Sequence, residues 1–196
     1  MRGFVVSGRG RLVGHRRPQA PDSYRYEVAH KHFSPNVDEL VALNRQGAEG
    51  FDAGELQVAP TRELAVVGCM DSRMDTFKIL GLQPGEAHII RNAGGVITDD
   101  VIRSLVISQR FLGTREIILV HHSDCGLERV SEDMFKAEME AELGLKPWWA
   151  LESFSDPYAD TSQSIQRLLT TPFIKYKDHI SGFVYDVTDG LLHPVD

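Results

Sequence analysis

Three short apolar runs along the chain predict buried β-strands. They are residues 63–69 (ELAVVGC), 86–91 (EAHIIR) and 116–122 (EIILVHH). Each run is rich in β-branched residues and lacks the strict alternation of a half-solvated strand, a pattern typical of strands that are covered on both faces. The runs therefore predict a parallel sheet.

Helical periodicity separates the second run from the third. Thr98 or Asp99 can cap the first turn of this segment, the acidic residues suit the positive end of a helix, and Gly113 provides a left-handed stop. The apolar residues that recur at helical spacing are Val101, Ile102, Leu105, Val106 and Leu112. The pattern predicts a crossover helix between two parallel strands.

Three further segments complete the predicted architecture. Residues 36–46 favour an early helix, residues 160–170 favour a late helix, and residues 182–187 predict a final strand that enters a turn at Asp189-Gly190. The sequence contains no internal repeat, low-complexity tract or interdomain linker. We therefore expect a single α/β domain.

Composition and charge exclude several classes of function. The chain has 196 residues, 42% of them hydrophobic and 25% charged, which suits one soluble domain with its own core. A net charge of −7 argues against a nucleic-acid binder, which needs a basic face. No apolar run approaches the roughly 20 residues that cross a bilayer, so we expect no membrane association and a cytoplasmic protein.

The first 25 residues differ from the rest of the chain. This stretch contains five arginines before the first acidic residue, Asp22, and it lacks the continuous apolar segment of a secretory signal. Its basic, acid-poor composition has some similarity to an organelle transit peptide. We interpret residues 1–25 as a basic flexible tail and residues 26–196 as the folded domain.

The two cysteines of the chain, Cys69 and Cys125, suggest a metal site. Cys69 ends the first predicted strand and His122 ends the third, and the carboxyl ends of parallel strands meet at the sheet edge where ligands bind. Two thiolates and one imidazole are ligands that zinc favours, and three protein ligands leave a fourth position open, as in catalytic sites. Alternatively, either cysteine could be a small core residue and His122 a hydrogen-bonded core histidine.

Asp71 and Arg73 follow the first cysteine at alternate positions. Asp71 is close enough in sequence to bind the same ion or to accept a hydrogen bond from water on it, and Arg73 can hold that carboxylate through two hydrogen bonds. The alternative is a surface ion pair of little energetic value. We favour a functional pair because it is tethered to a candidate ligand.

Three segments resemble, in order and spacing, the signature segments of β-carbonic anhydrases. They are Cys69-Met70-Asp71-Ser72-Arg73, Arg91-Asn92-Ala93-Gly94 and His122-Ser123-Asp124-Cys125-Gly126. The resemblance extends from about Asn36 to the C-terminus. It implies a sheet of about four parallel strands and an antiparallel edge strand, flanked by helices, with one zinc ion per chain.

The resemblance also implies an activity. In that family, metal-bound hydroxide reversibly hydrates carbon dioxide to bicarbonate and a proton, Asp71 would orient the hydroxide, and Arg73 would keep Asp71 ionised and off the metal. In a closed form, Asp71 itself would become the fourth zinc ligand. The similar compact bacterial branch includes carbonyl sulfide hydrolases, and a neighbouring group acts on carbon disulfide with the same ligands. Hydrolysis of these sulfides to hydrogen sulfide and carbon dioxide, or a non-catalytic structural zinc site, are the alternatives.

Other implied features concern the pocket and the assembly. Residues 91–95 follow a strand and precede a helix, so we expect their small residues to form pocket wall; a plain strand-to-helix turn is the alternative. A phosphate cradle is disfavoured, because neither a P-loop nor a dinucleotide-binding glycine pattern is present. Family members are dimers, often paired into tetramers, in which the N-terminal helix embraces the neighbour, so we expect a homodimer or homotetramer that acts on a small molecule. His30, His32 and His88 are candidate proton carriers, although an ordinary surface or core histidine is the more common case for each.

Overall fold

A five-stranded sheet forms the centre of the computed structural model, which describes residues 34–52, 54 and 56–195. The strands are β1 (Leu64–Cys69), β2 (Ala87–Asn92), β3 (Glu116–His122), β4 (Ile180–Tyr185) and β5 (Leu192–Val195). Their order is β2-β1-β3-β4-β5, with the first four parallel and β5 antiparallel to β4. The α-helices are α1 (Val37–Gly47), α2 (Thr76–Leu80), α3 (Asp99–Phe111), α4 (Glu132–Leu143) and α5 (Pro157–Thr170).

Strand β1 lies inside the sheet, between β2 and β3, and is buried along its whole length. Its residues alternate between two apolar clusters: Ala65 and Val67 pack in one, and Leu64 and Val66 pack in the other. Because successive side chains point to opposite faces and both faces are covered, every position tolerates an apolar residue. This is the physical basis of the continuous apolar run and confirms the predicted parallel sheet.

The crossover helix forms where the periodicity places it. The Thr98 hydroxyl accepts a hydrogen bond from the backbone N–H of Val101, and Gly113 has a φ of 77° just beyond the last turn. Val101 and Leu105 are buried against the cluster that contains Ala65. The helix therefore connects β2 to β3 while it packs on the intervening strand β1.

Several element boundaries differ from the predictions. The final parallel strand is residues 180–185 and not 182–187, because the chain turns back at Asp186, whose N–H and carbonyl bond Leu191 and Gly190. The late helix begins at Pro157, three residues before the predicted start, since the Asp156 carboxylate caps the N–H of Tyr158. Helices α2 and α4 were not predicted.

The N-terminal expectations fall outside the described residues. The proposed basic tail, residues 1–25, and the domain boundary at residue 26 lie in the undescribed part, as do His30 and His32. Among the residues that are described, no helix is long and apolar enough to cross a membrane.

Candidate functional site

Three side chains converge at the carboxyl ends of two neighbouring strands. Cys69 is the last residue of β1, His122 is the last residue of β3, and Cys125 follows after a two-residue turn. Their ligand atoms all lie within 4.8 Å of one another, and the two sulfurs are 4.0 Å apart. All three residues are buried and neither cysteine forms a disulfide. The structure thus brings together the residues that the sequence assigns to one site.

The turn that joins His122 to Cys125 is anchored to the neighbouring strand β4. The N–H of Ser123 donates to the carbonyl of Tyr185, 3.0 Å away, and the Ser123 hydroxyl donates to Asp186. Asp124 adopts a left-handed φ of 57°, which reverses the chain and returns Cys125 toward His122. A spacing of three positions therefore allows both side chains to face one point.

The tautomer of His122 is fixed by its own backbone. Its Nδ1 lies 2.9 Å from the carbonyl of Ser123, which can only accept a hydrogen bond, so Nδ1 carries the proton. Its Nε2 is then a bare acceptor that is buried and has no hydrogen-bond partner in the described part of the chain. Buried polar atoms without a partner are rare, and an imidazole oriented through its other nitrogen is the usual arrangement of a metal ligand.

The electrostatics of the cluster favour a cation. A hydrogen bond from the Cys125 thiol is the main reason why the pKa of Cys69 falls to about 4, and the same contact, with burial, raises the pKa of Cys125. Burial opposes a charge on His122, but the Cys69 sulfur, the Ser123 carbonyl and Asp71 together outweigh burial and raise the pKa of this imidazole. A divalent cation can replace the proton that Cys125 otherwise holds.

Asp71 lies beside the cluster and is held by Arg73. The guanidinium donates from Nε to Oδ1 at 3.0 Å and from Nη2 to Oδ2 at 2.8 Å, and the Arg73 N–H also donates to Oδ1. These bonds lower the pKa of Asp71 to about 2, so the carboxylate is charged at neutral pH. Its Oδ2 is 3.8 Å from Nε2 of His122. The pair predicted from the sequence therefore forms at the edge of the candidate metal site.

Arg91 supports the same segment from the neighbouring strand, a role that the sequence analysis missed. Its Nε donates to the carbonyl of Cys69 at 2.9 Å and its Nη2 donates to the carbonyl of Asp71 at 2.7 Å. Arg91 was assigned only to the pocket wall. An available signal was its place at the end of a strand that pairs with β1, opposite Gly68.

Gly95 packs directly on the backbone of β1. It has a φ of 73°, and a Cβ atom added to it would lie 2.9 Å from the Cys69 nitrogen and 3.0 Å from the Gly68 carbonyl carbon. Such distances leave no room for a side chain. The pocket wall expected at residues 91–95 thus approaches the candidate ligand through bare backbone.

Substitution of Gly95 by alanine is expected to destabilise the protein more than substitution of Gly113. Both glycines have a left-handed φ, near 75°, but an added Cβ at Gly113 meets nothing within 4 Å of the described structure. Gly113→Ala should cost about 1 to 2 kcal/mol from backbone strain, and Gly95→Ala about 1 to 3 kcal/mol more from the steric clash. Urea denaturation measures both; equal losses would contradict the tight packing.

Two other histidines have structural contacts. His88 Nδ1 lies 2.7 Å from the Ser108 hydroxyl, and its Nε2 lies 3.4 Å from the Val58 carbonyl, so its contacts are those of a packed histidine. His121 is fully buried, and its Nε2 pairs with Asp160 at 2.7 Å. Because strand residues alternate, His121 points to the opposite face of the sheet from His122.

Comparisons with known proteins agree with this geometry. The sequence profile of a family described as carbonic anhydrase matches residues 64–150. The chain is 49% identical to beta-carbonic anhydrase 1 of Mycobacterium tuberculosis over 159 residues, 81% of this chain and 97% of that protein. It is 48% identical to a carbon disulfide hydrolase of an Acidianus species over 112 residues, 57% of this chain and 54% of that protein. The crystal structure of carbonic anhydrase from Streptococcus mutans superposes with a TM-score of 0.78 at 36% identity, covering 84% of this chain and 99% of that one.

Proposed function

Because the chain belongs to the β-carbonic anhydrase family, we propose that it reversibly hydrates carbon dioxide to bicarbonate and a proton at a zinc ion held by Cys69, His122 and Cys125. The observation that carries this proposal is the buried convergence of two sulfurs and one bare imidazole nitrogen within 4.8 Å. This donor set is one that zinc prefers, and three protein ligands leave a fourth position for solvent or substrate. One zinc per chain is expected.

Zinc in such a site supplies a Lewis acid that lowers the pKa of bound water to about 7. The protein contributes position and charge around it. Asp71 is ionised and both of its oxygens are held by Arg73. Oδ1 already accepts two hydrogen bonds, whereas Oδ2, the oxygen nearer His122, accepts one and can accept a second. We assign Asp71 to accept the hydrogen of the attacking water and to direct a lone pair at the carbon of the substrate. Arg73 keeps the carboxylate charged and in place.

A second candidate function is hydrolysis of a small sulfur analogue of the same substrate. The similarity to a carbon disulfide hydrolase favours it, since that enzyme is 48% identical over the aligned residues. However, that alignment spans 54% of the hydrolase, whereas the alignment with the mycobacterial carbonic anhydrase spans 97% of that enzyme. We therefore place carbon dioxide first, and carbonyl sulfide or carbon disulfide second.

Paired assays on zinc-loaded protein test the proposal. Stopped-flow measurement of proton release from carbon dioxide should show turnover well above the buffer rate, and sulfide release from carbonyl sulfide and carbon disulfide should be slower. Faster sulfide release would favour the second function. Zinc-loaded protein that is inactive on all three substrates would favour the structural zinc site.

Helix α1 supports an assembly of more than one chain. None of its side chains is buried by the described residues, and its apolar residues Val37, Leu40, Val41 and Leu43 are 44 to 61% exposed. Elsewhere, α3 and residues 171–173 form a groove of 570 Å³ lined in part by Ile102, Val106 and Phe173. We propose a homodimer in which α1 of each chain covers apolar surface of the other.

The reduced cysteines suit a cytoplasmic location.

A charge on the apolar side of α1 is expected to break this dimer. Leu40→Glu would bury an unpaired carboxylate in the interface and should weaken dimerisation by at least about 100-fold, or roughly 3 kcal/mol. Gln46→Glu adds the same charge six residues further along, about 120° around the helix axis from Leu40, and serves as the control. Light scattering after size-exclusion chromatography measures the mass; an unchanged dimer in Leu40→Glu would contradict the assigned interface.

A further inference from the structure

The hydrogen bonds of Arg73 extend beyond Asp71 to a second carboxylate. Its Nη1 donates to Oδ2 of Asp124 at 3.0 Å, and its Nη2 donates to the backbone carbonyl of Asp124 at 3.0 Å. One guanidinium therefore joins two acidic residues that lie 53 positions apart, while Asp71 is its partner on the metal side. Arg129 binds the remaining oxygen of Asp124, Oδ1.

Asp124 occupies the centre of the turn that presents two candidate zinc ligands. It lies between His122 and Cys125 and has a φ of 57°. Aspartate and asparagine tolerate this left-handed conformation better than most residues, so the backbone alone does not require a carboxylate here. The carboxylate of Asp124 instead serves to bind two guanidinium groups, those of Arg73 and Arg129.

We propose that Asp124 is a positioning residue that holds Arg73 in the orientation in which it binds Asp71. The side chain of Arg73 is 43% exposed and has several rotatable bonds, so its bonds to Asp71 alone leave it free to swing into solvent together with that carboxylate. Bonds to both the side chain and the backbone of Asp124 fix the guanidinium from its other end. This inference rests on the proposed function, because it concerns where Asp71 lies relative to the fourth zinc position.

The arrangement couples the metal site to the Asp71–Arg73 pair. The turn that carries Asp124 also carries His122 and Cys125, so closing the turn on a metal ion places the anchor of Arg73 at the same time. Such coupling is reciprocal: a change at Asp124 alters how readily an outside ligand reaches the metal. This access can be measured without the enzymatic reaction.

Azide titration of cobalt-loaded protein reads this access directly. Azide changes the visible spectrum of Co²⁺ only when it enters the fourth position. Asp71 would occupy that position in the closed form, once Arg73 no longer held it back. Asp124→Asn keeps the size and the backbone preference but removes the charge, and Asp124→Gly keeps the left-handed φ and removes the side chain. Asp178→Asn removes one exposed carboxylate elsewhere and is the control.

We expect azide affinity to fall about tenfold in both Asp124 variants, and kcat/KM for carbon dioxide to fall by a similar factor, with Asp178→Asn within twofold of the wild type. Wild-type azide affinity in Asp124→Asn and Asp124→Gly would overturn the proposal. Loss of cobalt binding in both variants would assign Asp124 to the fold of the turn and would also overturn it. If the wild type proved inactive on carbon dioxide but still bound azide about tenfold more tightly than the Asp124 variants, only the proposed function would be contradicted.

Discussion

Replacement of His122 by glutamine is expected to abolish zinc binding and carbon dioxide hydration together. The imidazole is fully buried, its Nδ1 bonds the Ser123 carbonyl, and its Nε2 faces the two sulfurs. An amide is a poor zinc ligand, and even changes to the outer partners of zinc ligands cost roughly 10- to 100-fold in affinity, so we expect a loss of at least about 100-fold. Metal analysis after dialysis and stopped-flow assays measure the two losses.

The adjacent histidine provides a matched control for this experiment. His121→Gln alters an equally buried imidazole on the same strand, but one that points to the opposite face and pairs with Asp160. It should cost about 1 to 3 kcal/mol of stability, because a buried polar contact is lost, while one zinc per chain is retained. The site assignment would be wrong if His122→Gln retained zinc and activity, or if His121→Gln lost zinc while still folded.

The sheet could be predicted from the sequence because burial leaves a local signature. The residues of β1 pack into clusters on both faces, and a continuous run of β-branched residues is what such a position selects. The candidate ligands could be predicted for a related reason. Cys69 and His122 end two such runs, and parallel strand ends must meet at one edge of the sheet.

Two helices, α2 and α4, escaped prediction. No residue of α4 is fully buried, and five of its twelve residues are acidic, so its amphipathic pattern is weak. Helix α2 has five residues, too few to show a period, and is defined instead by the Asp75 cap and by Gly81 with a φ of 65°. Strand β5 contains Pro194, which suits only an edge, and it was expected solely from the family resemblance.

The supporting contacts of the site escaped prediction because they join distant residues. Arg91 bonds carbonyls 20 and 22 positions away, and Arg73 reaches Asp124 across 51 positions. The partners are backbone oxygens or surface carboxylates, which have no distinctive pattern along the chain. Only the assembled strand ends show that these arginines hold the ligand segments in place.

Replacement of Asp71 by alanine is expected to leave zinc bound and to remove most carbon dioxide hydration. Zinc should stay near one equivalent, because Asp71 is held by Arg73 and the three proposed ligands are untouched. Turnover should fall by about 100- to 10,000-fold, the usual contribution of a positioned acid–base group. Because the pKa of Asp71 is about 2, the wild-type carboxylate is lost only as pH falls through that value, so the defect should persist at every pH from 6 to 9.

Asp75 distinguishes a specific role of Asp71 from a general effect of charge in this loop. Asp75 is an exposed acid four residues further along, and its carboxylate caps the N–H of Lys78 at the start of α2. Asp75→Ala should therefore cost about 1 kcal/mol of stability through the lost cap and leave turnover near the wild-type value. Equal turnover in Asp71→Ala and the wild type would refute the assigned role, and loss of zinc from Asp71→Ala would instead make Asp71 a metal ligand. If Asp71→Ala loses turnover while it keeps its zinc, and Asp75→Ala keeps both, the result supports a carboxylate at position 71 that acts on the reacting water.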